Sequence, residues 1–322
     1  MPDPILLYYP YIIDFLIVLL VLITVLVDIS KFMYSYLLII PPAVLLYLVT
    51  GTLFYALVLI LSVIVSKYLY SVRFFYYAAA LILISIMLFV FRISGSDWMY
   101  FDFCLGYGGL VAFLGDKGSL VNIRSNDHSK GKIRQIEMRR DYVQIAGGLI
   151  IFTILYYGTF FYLRMFITWA VLIFLIIGNY YSRKSNTKIG SLISYFERPS
   201  VPIGLGAIWF GIGILFSLGL VDSGKIFALI IFASTVGDPL ATIVGSNIHS
   251  PKLFFNHRKS WAGFAAMLLP TCLLGYFLAG FSGLLIGVTG TVAESLSFHT
   301  IDDNFSVPAT MGIITRIIQS IT

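Results

Sequence analysis

The chain holds only 15 acidic residues in 322, and a few of them stand where chemistry is a better explanation than solubility. Asp238 lies between Gly237 and Pro239 near the end of an apolar run. A carboxylate at membrane depth is costly and marks a functional position. Gly and Pro beside it break a helix, which is tolerated where the freed backbone faces protein or water. Asn247 follows in the same stretch. Next comes Asn256-His257-Arg258-Lys259-Ser260-Trp261-Ala262-Gly263. Arg258 offers a planar fork and Lys259 a point charge, a pair suited to a polyphosphate. Ser260 can cap the helix after it, whose N-terminus adds positive potential. Glu294 interrupts a third apolar run, and Asp302-Asp303-Asn304 follows with no Lys or Arg nearby. Carboxylates without compensating charge point to a divalent cation. Mg²⁺ is commonly held by one or two carboxylates plus substrate phosphates, so Asp238, Glu294, Asp302 and Asp303 are its candidate ligands. Glu137-Met138-Arg139-Arg140-Asp141 is weaker: such a run equally sets topology or meets anionic headgroups.

Basic groups for a polyphosphate, carboxylates for Mg²⁺ and a helix N-terminus are the parts that phosphoryl transfer requires, since that chemistry is mostly positioning and charge stabilisation. Placed at a membrane surface, they imply an acceptor whose head reaches water while its tail stays among helices. The residues alone do not choose between a lipid kinase and a lipid nucleotidyltransferase.

The elements that must hold these residues are membrane helices. The chain is 59% hydrophobic and 11% charged, with a mean hydropathy of +0.94, against roughly 25% charged residues in a soluble domain. Apolar stretches at 11–27, 33–49, 53–66, 74–91, 98–115, 143–161, 165–181, 201–220, 226–244, 261–281, 283–297 and 307–321 read as helices. The expectation is an all-α, polytopic integral membrane bundle of about 10–12 transmembrane helices, each of about 20 apolar residues. With twelve, all but Arg92, Arg164, Lys225 and Arg316 of the 21 basic residues fall in loops on one side. The positive-inside rule makes that side cytoplasmic and puts the N-terminus outside. The formal net charge of +6 then reports topology, and no nucleic-acid partner is expected. Cys104 and Cys272 lack metal-type spacing and read as small apolar residues.

Residues 1–115 are expected to form N-terminal transmembrane helices with few polar features, and 116–322 the catalytic part. Two motif matches mislead. Gly219 to Lys225 has the spacing of a phosphate loop, but Ile226 stands where Ser or Thr is needed and no strand precedes it. Asn304-Phe305-Ser306 is a glycosylation sequon on the expected cytoplasmic side.

Taken in order, Gly237-Asp238, Asn256-x-Arg258-Lys259-Ser260-Trp261-Ala262-Gly263, Glu294-Ser295-Leu296, Asp302-Asp303-Asn304 and Val307-Pro308 resemble the phytol kinase/dolichol kinase family, most closely its phytol kinase branch. The resemblance covers about 137–322 and leaves the first hundred residues aside. It implies a membrane enzyme that phosphorylates a long isoprenoid alcohol (geranylgeraniol, phytol, farnesol or dolichol), generally from CTP. It also implies Asp238, Lys259, Glu294 and Asp303 as catalytic, with Asp303 accepting the alcohol proton. Asn247, Asn256, Arg258, Lys259 and Ser260 would meet the nucleotide, and Glu137, Arg140, Asp302 and Asn304 would lie at the substrate. One segment departs from the family's Arg-Lys-x-x-His run. Glu137, Arg140 and Gly148 keep the frame, while Asp141 and Gln144 replace the Lys and His. A CTP-dependent enzyme making a CDP-lipid would use similar parts. A secondary transporter would show broken helices at mid-membrane in paired repeats; no repeat is visible in the sequence.

Overall fold

A computed structural model describes residues 39–67, 95–115, 130–182, 187–188, 205–296 and 302–321. The helices expected at 11–27 and 74–91 lie outside the described residues. Every regular element described is helical, with no strand among the described residues beyond an isolated Lys252–Ser260 bridge. The chain divides into two compact units, Met1–Val121 and Asn122–Thr322.

The first unit contains α1 (Ile40–Thr50), α2 (Phe54–Lys67) and α3 (Gly95–Gly115). Gly51 follows α1 in the left-handed conformation, φ 68°, and returns its amide to Tyr47, which is how a glycine ends a helix. α2 and α3 approach closely because Gly108 has no side chain: a Cβ there would overlap Ser62. The Ser62 hydroxyl spends itself on the Leu59 and Cys104 carbonyls. Cys104 is buried and free, in keeping with its reading as a small apolar residue.

The second unit carries the candidate chemistry. Its helices are α4 (Lys130–Tyr157), α5 (Phe160–Ser182), α6 (Leu205–Leu218), α7 (Gly224–Phe232), a π turn (Ala233–Gly237), α8 (Asp238–Asn247), α9 (Trp261–Leu296) and α10 (Asp303–Ile321). Beyond the exposed Lys225 of its first turn, α7 is apolar on all sides, and a helix of that kind is buried all round: Phe227 to Ile231 have at most 2% exposure. Leu155 of α4, Ile214 and Leu218 of α6, Met267 and Ile286 of α9, and Val307 and Met311 of α10 complete this core.

Three boundaries differ from the sequence reading. α4 begins at Lys130, so Glu137 to Asp141 sit inside a helix and not in the loop before one. Its first turns are too polar for the apolar pattern to detect. The helix expected at 226–244 runs Gly224–Asn247, and Gly237-Asp238-Pro239, expected to break it near its end, is instead carried through by the π turn. Asp238 is therefore about 21 Å along that helix and some 14 Å short of its end, at 1.5 Å per residue. α10 starts at Asp303, four residues before the apolar run expected at 307.

α9 is a hairpin. Ala279 (φ −146°) and Gly280 (φ +61°, ψ −141°) leave helical geometry, a conformation open to glycine. The arms 261–278 and 283–296 then meet through glycines, since a Cβ on Gly275 or Gly283 would overlap the other's backbone carbonyl. The break stands two residues from the gap expected between 281 and 283. The hairpin returns Glu294 to the level of Lys259. Leu269, Leu273, Tyr276, Phe277 and Phe281 are exposed around its far half, an apolar surface that water would not favour. Among the described residues, Gly224–Asn247 and Trp261–Leu296 are long and apolar enough to cross a bilayer.

Candidate active site

Four residues distant in sequence meet at the open end of the hairpin. The Lys259 ammonium donates to Glu294 Oε1 and lies 3.6 Å from Asp303 Oδ2. Asp238 is within electrostatic reach of all three, and of Arg140 from α4. Glu294 is 2% exposed, Lys259 25% and Asp303 33%. The pair is thus closed on the glutamate side and open on the aspartate side. Burial alone would lower the Lys259 ammonium, but the Glu294, Asp238 and Asp303 carboxylates outweigh it and hold it above its ordinary value. Lys259 stays charged.

The backbone explains why Lys259 is held so firmly. Leu253 is fully buried, and its amide donates to the Lys259 carbonyl while the Trp261 amide donates to Pro251. Two tight turns follow one another, Asn256 N–H to Leu253 O and Lys259 N–H to Asn256 O. Asn256 is the strap: its Oδ1 accepts from the Arg258 amide and its Nδ2 donates to Ser295 O at 2.8 Å. It ties the basic loop to the second arm of the hairpin.

Ser260 caps the first arm as expected, accepting the Gly263 amide. Ser250 accepts the Ala262 amide, a second cap with no signal in the sequence. These amides of the first turn already have partners, so side chains are left to meet a phosphate here. Gly263 and Gly245 bring α8 against α9, with Gly245 3.0 Å from Ser260 Oγ when a Cβ is placed on it.

At the start of α10, Asp302 Oδ1 accepts from the Asn304 backbone amide at 3.0 Å and its side-chain nitrogen at 2.7 Å. Asp302 is the N-cap, and Asn304 is its partner. Burial, aided by the neighbouring Asp303 charge, pushes the Asp302 carboxyl up to about 6. Gly213 of α6 presses on Asn304, Phe305 and Pro308, and Ser217 donates to Pro308 O. The buried face of α6 thereby fixes where Asp303 projects.

α4 meets the π turn along one stripe. Arg140, Gln144 and Gly148 are spaced four apart and share a helix face. Arg140 reaches the charge of Asp238 and lies 3.5 Å from Asp141. Gln144 Nε2 donates to Ser234 O at 3.0 Å. Gly148 lies so close to Thr235 that a Cβ would overlap its hydroxyl.

The structure therefore gathers Asp238, Lys259, Glu294, Asp303 and Arg140, with Asp302 and Asn304 beside them. Asn247 is exposed at the end of α8, nine residues from Asp238. Arg258 is exposed at the tip of its turn. Glu137 belongs to α4. Sequence reasoning missed Ser234, Thr235 and Ser250; two hydroxyl residues in the apolar run just before Gly237-Asp238 were the available signal. The phosphate-loop spacing at Gly219 follows a helix, α6, and not a strand.

The donor set fits Mg²⁺ in the manner of a site completed by its substrate. Among the described residues no three of His, Cys, Asp and Glu form a metal cluster by themselves. Lys259 stands among the carboxylates, bound to Glu294, and Asp302 is occupied by Asn304. Asp238 remains, and Asp303, although it accepts the Asn304 amide and lies 3.6 Å from Lys259, is one-third exposed; Mg²⁺ uses one or two carboxylates when phosphates supply the rest.

Compared with known proteins, the chain is 36% identical over 114 residues to an uncharacterized protein of Methanocaldococcus jannaschii, a match covering 34% of this chain and 58% of that one. It is 40% identical over 93 residues to a probable chloroplastic phytol kinase of Triticum aestivum, and 38% over 93 residues to a probable chloroplastic phytol kinase 2 of Glycine max. These matches cover 23% of this chain and 31% and 32% of the plant proteins. The chain thus spans less than two thirds of each of these relatives. No family model and no solved structure matches it.

Proposed function

We propose that this chain is a membrane-embedded lipid kinase that moves the γ-phosphate of CTP, or another nucleoside triphosphate, to the primary hydroxyl of a long isoprenoid alcohol at the cytoplasmic face. The observation that carries the reading is the Lys259–Glu294 pair, flanked by Asp303, Asp238 and Arg140. It puts a fixed cation and two available carboxylates at one point on the molecule. The partial similarity to plant phytol kinases supports a prenol kinase over other phosphotransferases. In this reading the chain is a multi-pass bundle of about ten to twelve helices, with 1–115 as its N-terminal part and 116–322 catalytic.

Each side chain then has a task. Lys259, oriented by Glu294, neutralises charge on the transferred phosphoryl group. Arg140 and Arg258 meet the outer phosphates. Asp238, completed by the substrate phosphates, would hold Mg²⁺, which when bound would supply charge neutralisation on the transferring phosphate. The alcohol oxygen forms its bond to the γ-phosphorus, the bond to the β-bridging oxygen breaks, and the nucleoside diphosphate leaves. Asp303, the more open carboxylate, takes the alcohol proton. The tail of the alcohol lies along the apolar outer surface of α9.

A label-transfer assay tests this. Membranes carrying the protein are supplied with several nucleotides, labelled on the γ-phosphate or on the base, against a panel of isoprenoid alcohols and diacylglycerol. The expected product is an isoprenoid monophosphate carrying the γ label. Asp238→Asn should lose nearly all transfer while inserting normally. Incorporation of labelled cytidine with release of pyrophosphate would make the chain a nucleotidyltransferase. Full activity in Asp238→Asn would sink the assignment of the site.

A further inference from the structure

We infer that Gln144 is a positioning residue: it holds the π turn in register and so aims Asp238 into the cluster. In an α-helix the Ser234 carbonyl would receive the amide of residue 238. Here the Asp238 amide goes to Ala233, five residues back, the bond that defines a π turn. In that wider register the Ser234 carbonyl would receive the amide of residue 239. Residue 239 is Pro, which has no N–H. In the register the helix adopts, the Ser234 carbonyl therefore has no donor along its own helix, in a segment whose residues are all buried. Gln144 Nε2 supplies the missing donor from α4. A carbonyl only accepts, so it is the amide's NH₂ end that faces it.

The neighbouring contacts show that this bond belongs to a built junction. Ser234 and Thr235 return their hydroxyls to Ile230 O and Ile231 O, occupying carbonyls that the shifted register loosens. Gly148, one turn along from Gln144, lets α4 press against Thr235. Arg140, one turn the other way, extends its charge toward Asp238. The extra residue in the π turn rotates everything after it by about 100° relative to an unbroken helix of 3.6 residues per turn. Were the turn to relax to α geometry, Asp238 would swing away from Lys259 and Asp303. Gln144 thus fills the position where the resembling family carries His, and it does so with an N–H donor.

The consequence for catalysis rests on the proposed kinase reading; the consequence for the backbone does not. Two readouts separate them. The first is hydrogen exchange across 233–245 in the full-length protein. Gln144→Met keeps the length of the side chain and removes the donor, and should raise exchange at the π turn. Gln144→Asn, one methylene too short, is the milder variant should Gln144→Met accumulate poorly. Gln144→His retains an N–H of similar reach and should restore protection. The second readout is label transfer, where Gln144→Met should lower kcat about 10–100-fold, as loss of an outer-shell partner does. KM for the alcohol should hold within twofold. Unchanged exchange in both Gln144→Met and Gln144→Asn would overturn the inference whatever the activity. Raised exchange with wild-type kcat would overturn the positioning role. If the wild-type protein transfers phosphate to no alcohol, the kinase reading fails and the exchange result alone decides whether Gln144 holds the turn.

Discussion

Replacing Lys259 by Met should cost stability as well as activity, and the two losses can be separated. Glu294 is 2% exposed and its bond to the Lys259 ammonium is its charge partner in the cluster. Removing the cation leaves a buried carboxylate facing Asp238 and Asp303 without the ammonium that stands among them. Breaking a buried pair in this way costs about 3–5 kcal/mol. Lys259 is itself 25% exposed, so water recovers part of that, and about 2–3 kcal/mol is the expected loss. For a unit of this size that corresponds to a fall of roughly 4–12 °C in the thermal midpoint. Lys259→Met/Glu294→Gln removes both charges at once. Deleting a buried pair together is often neutral, so the double variant should regain most of the midpoint while transferring no phosphate. The measurement is a thermal unfolding series on purified protein in detergent, wild type, both single variants and the double, alongside label transfer. The reasoning fails if Lys259→Met unfolds within 1 °C of wild type, or if the double variant is no more stable than Lys259→Met.

Two further outcomes probe the junction and the cap. Gly148→Ala should be destabilising by about 1–3 kcal/mol, the cost of overpacking, because its Cβ would overlap Thr235; Gly147→Ala next to it meets nothing within 4 Å and should be neutral or slightly stabilising. Equal midpoints for the two would contradict the close approach of α4 to the π turn. The Asp302 carboxyl holds its proton more tightly folded than unfolded, its folded value being about 6 against an ordinary 3.8. Its contribution to stability is therefore present below the ordinary value and lost as pH rises through about 6. Asp302→Asn keeps an N-cap residue and removes the titration. In chelator its midpoint should change less than that of wild type across this pH window, and parallel profiles would refute the assignment.

The sequence by itself determined the helical class, the residues worth suspecting, the Ser260 cap and, to within two residues, the turn of the α9 hairpin. These depend on neighbours along the chain. An apolar period, a Ser before a helix, or a Gly between two apolar runs carries its own physical reason. The polar start of α4 was missed because it carries no apolar period, and the first turn of α10 because it is held by packing against Gly213 and Ser217 of α6. Only the tertiary structure decided the division of labour among the acids. It gave Asp302 to a cap and Glu294 to Lys259, and set Asp303 and Asp238 beside that pair. It also decided that the helix passes Gly237-Asp238-Pro239 through a widened turn at Ala233–Gly237 and does not break there. That choice hangs on one carbonyl at Ser234 whose donor stands 90 residues earlier, at Gln144. No local pattern encodes such a bond, because neither partner needs the other until α4 and the π turn are packed together.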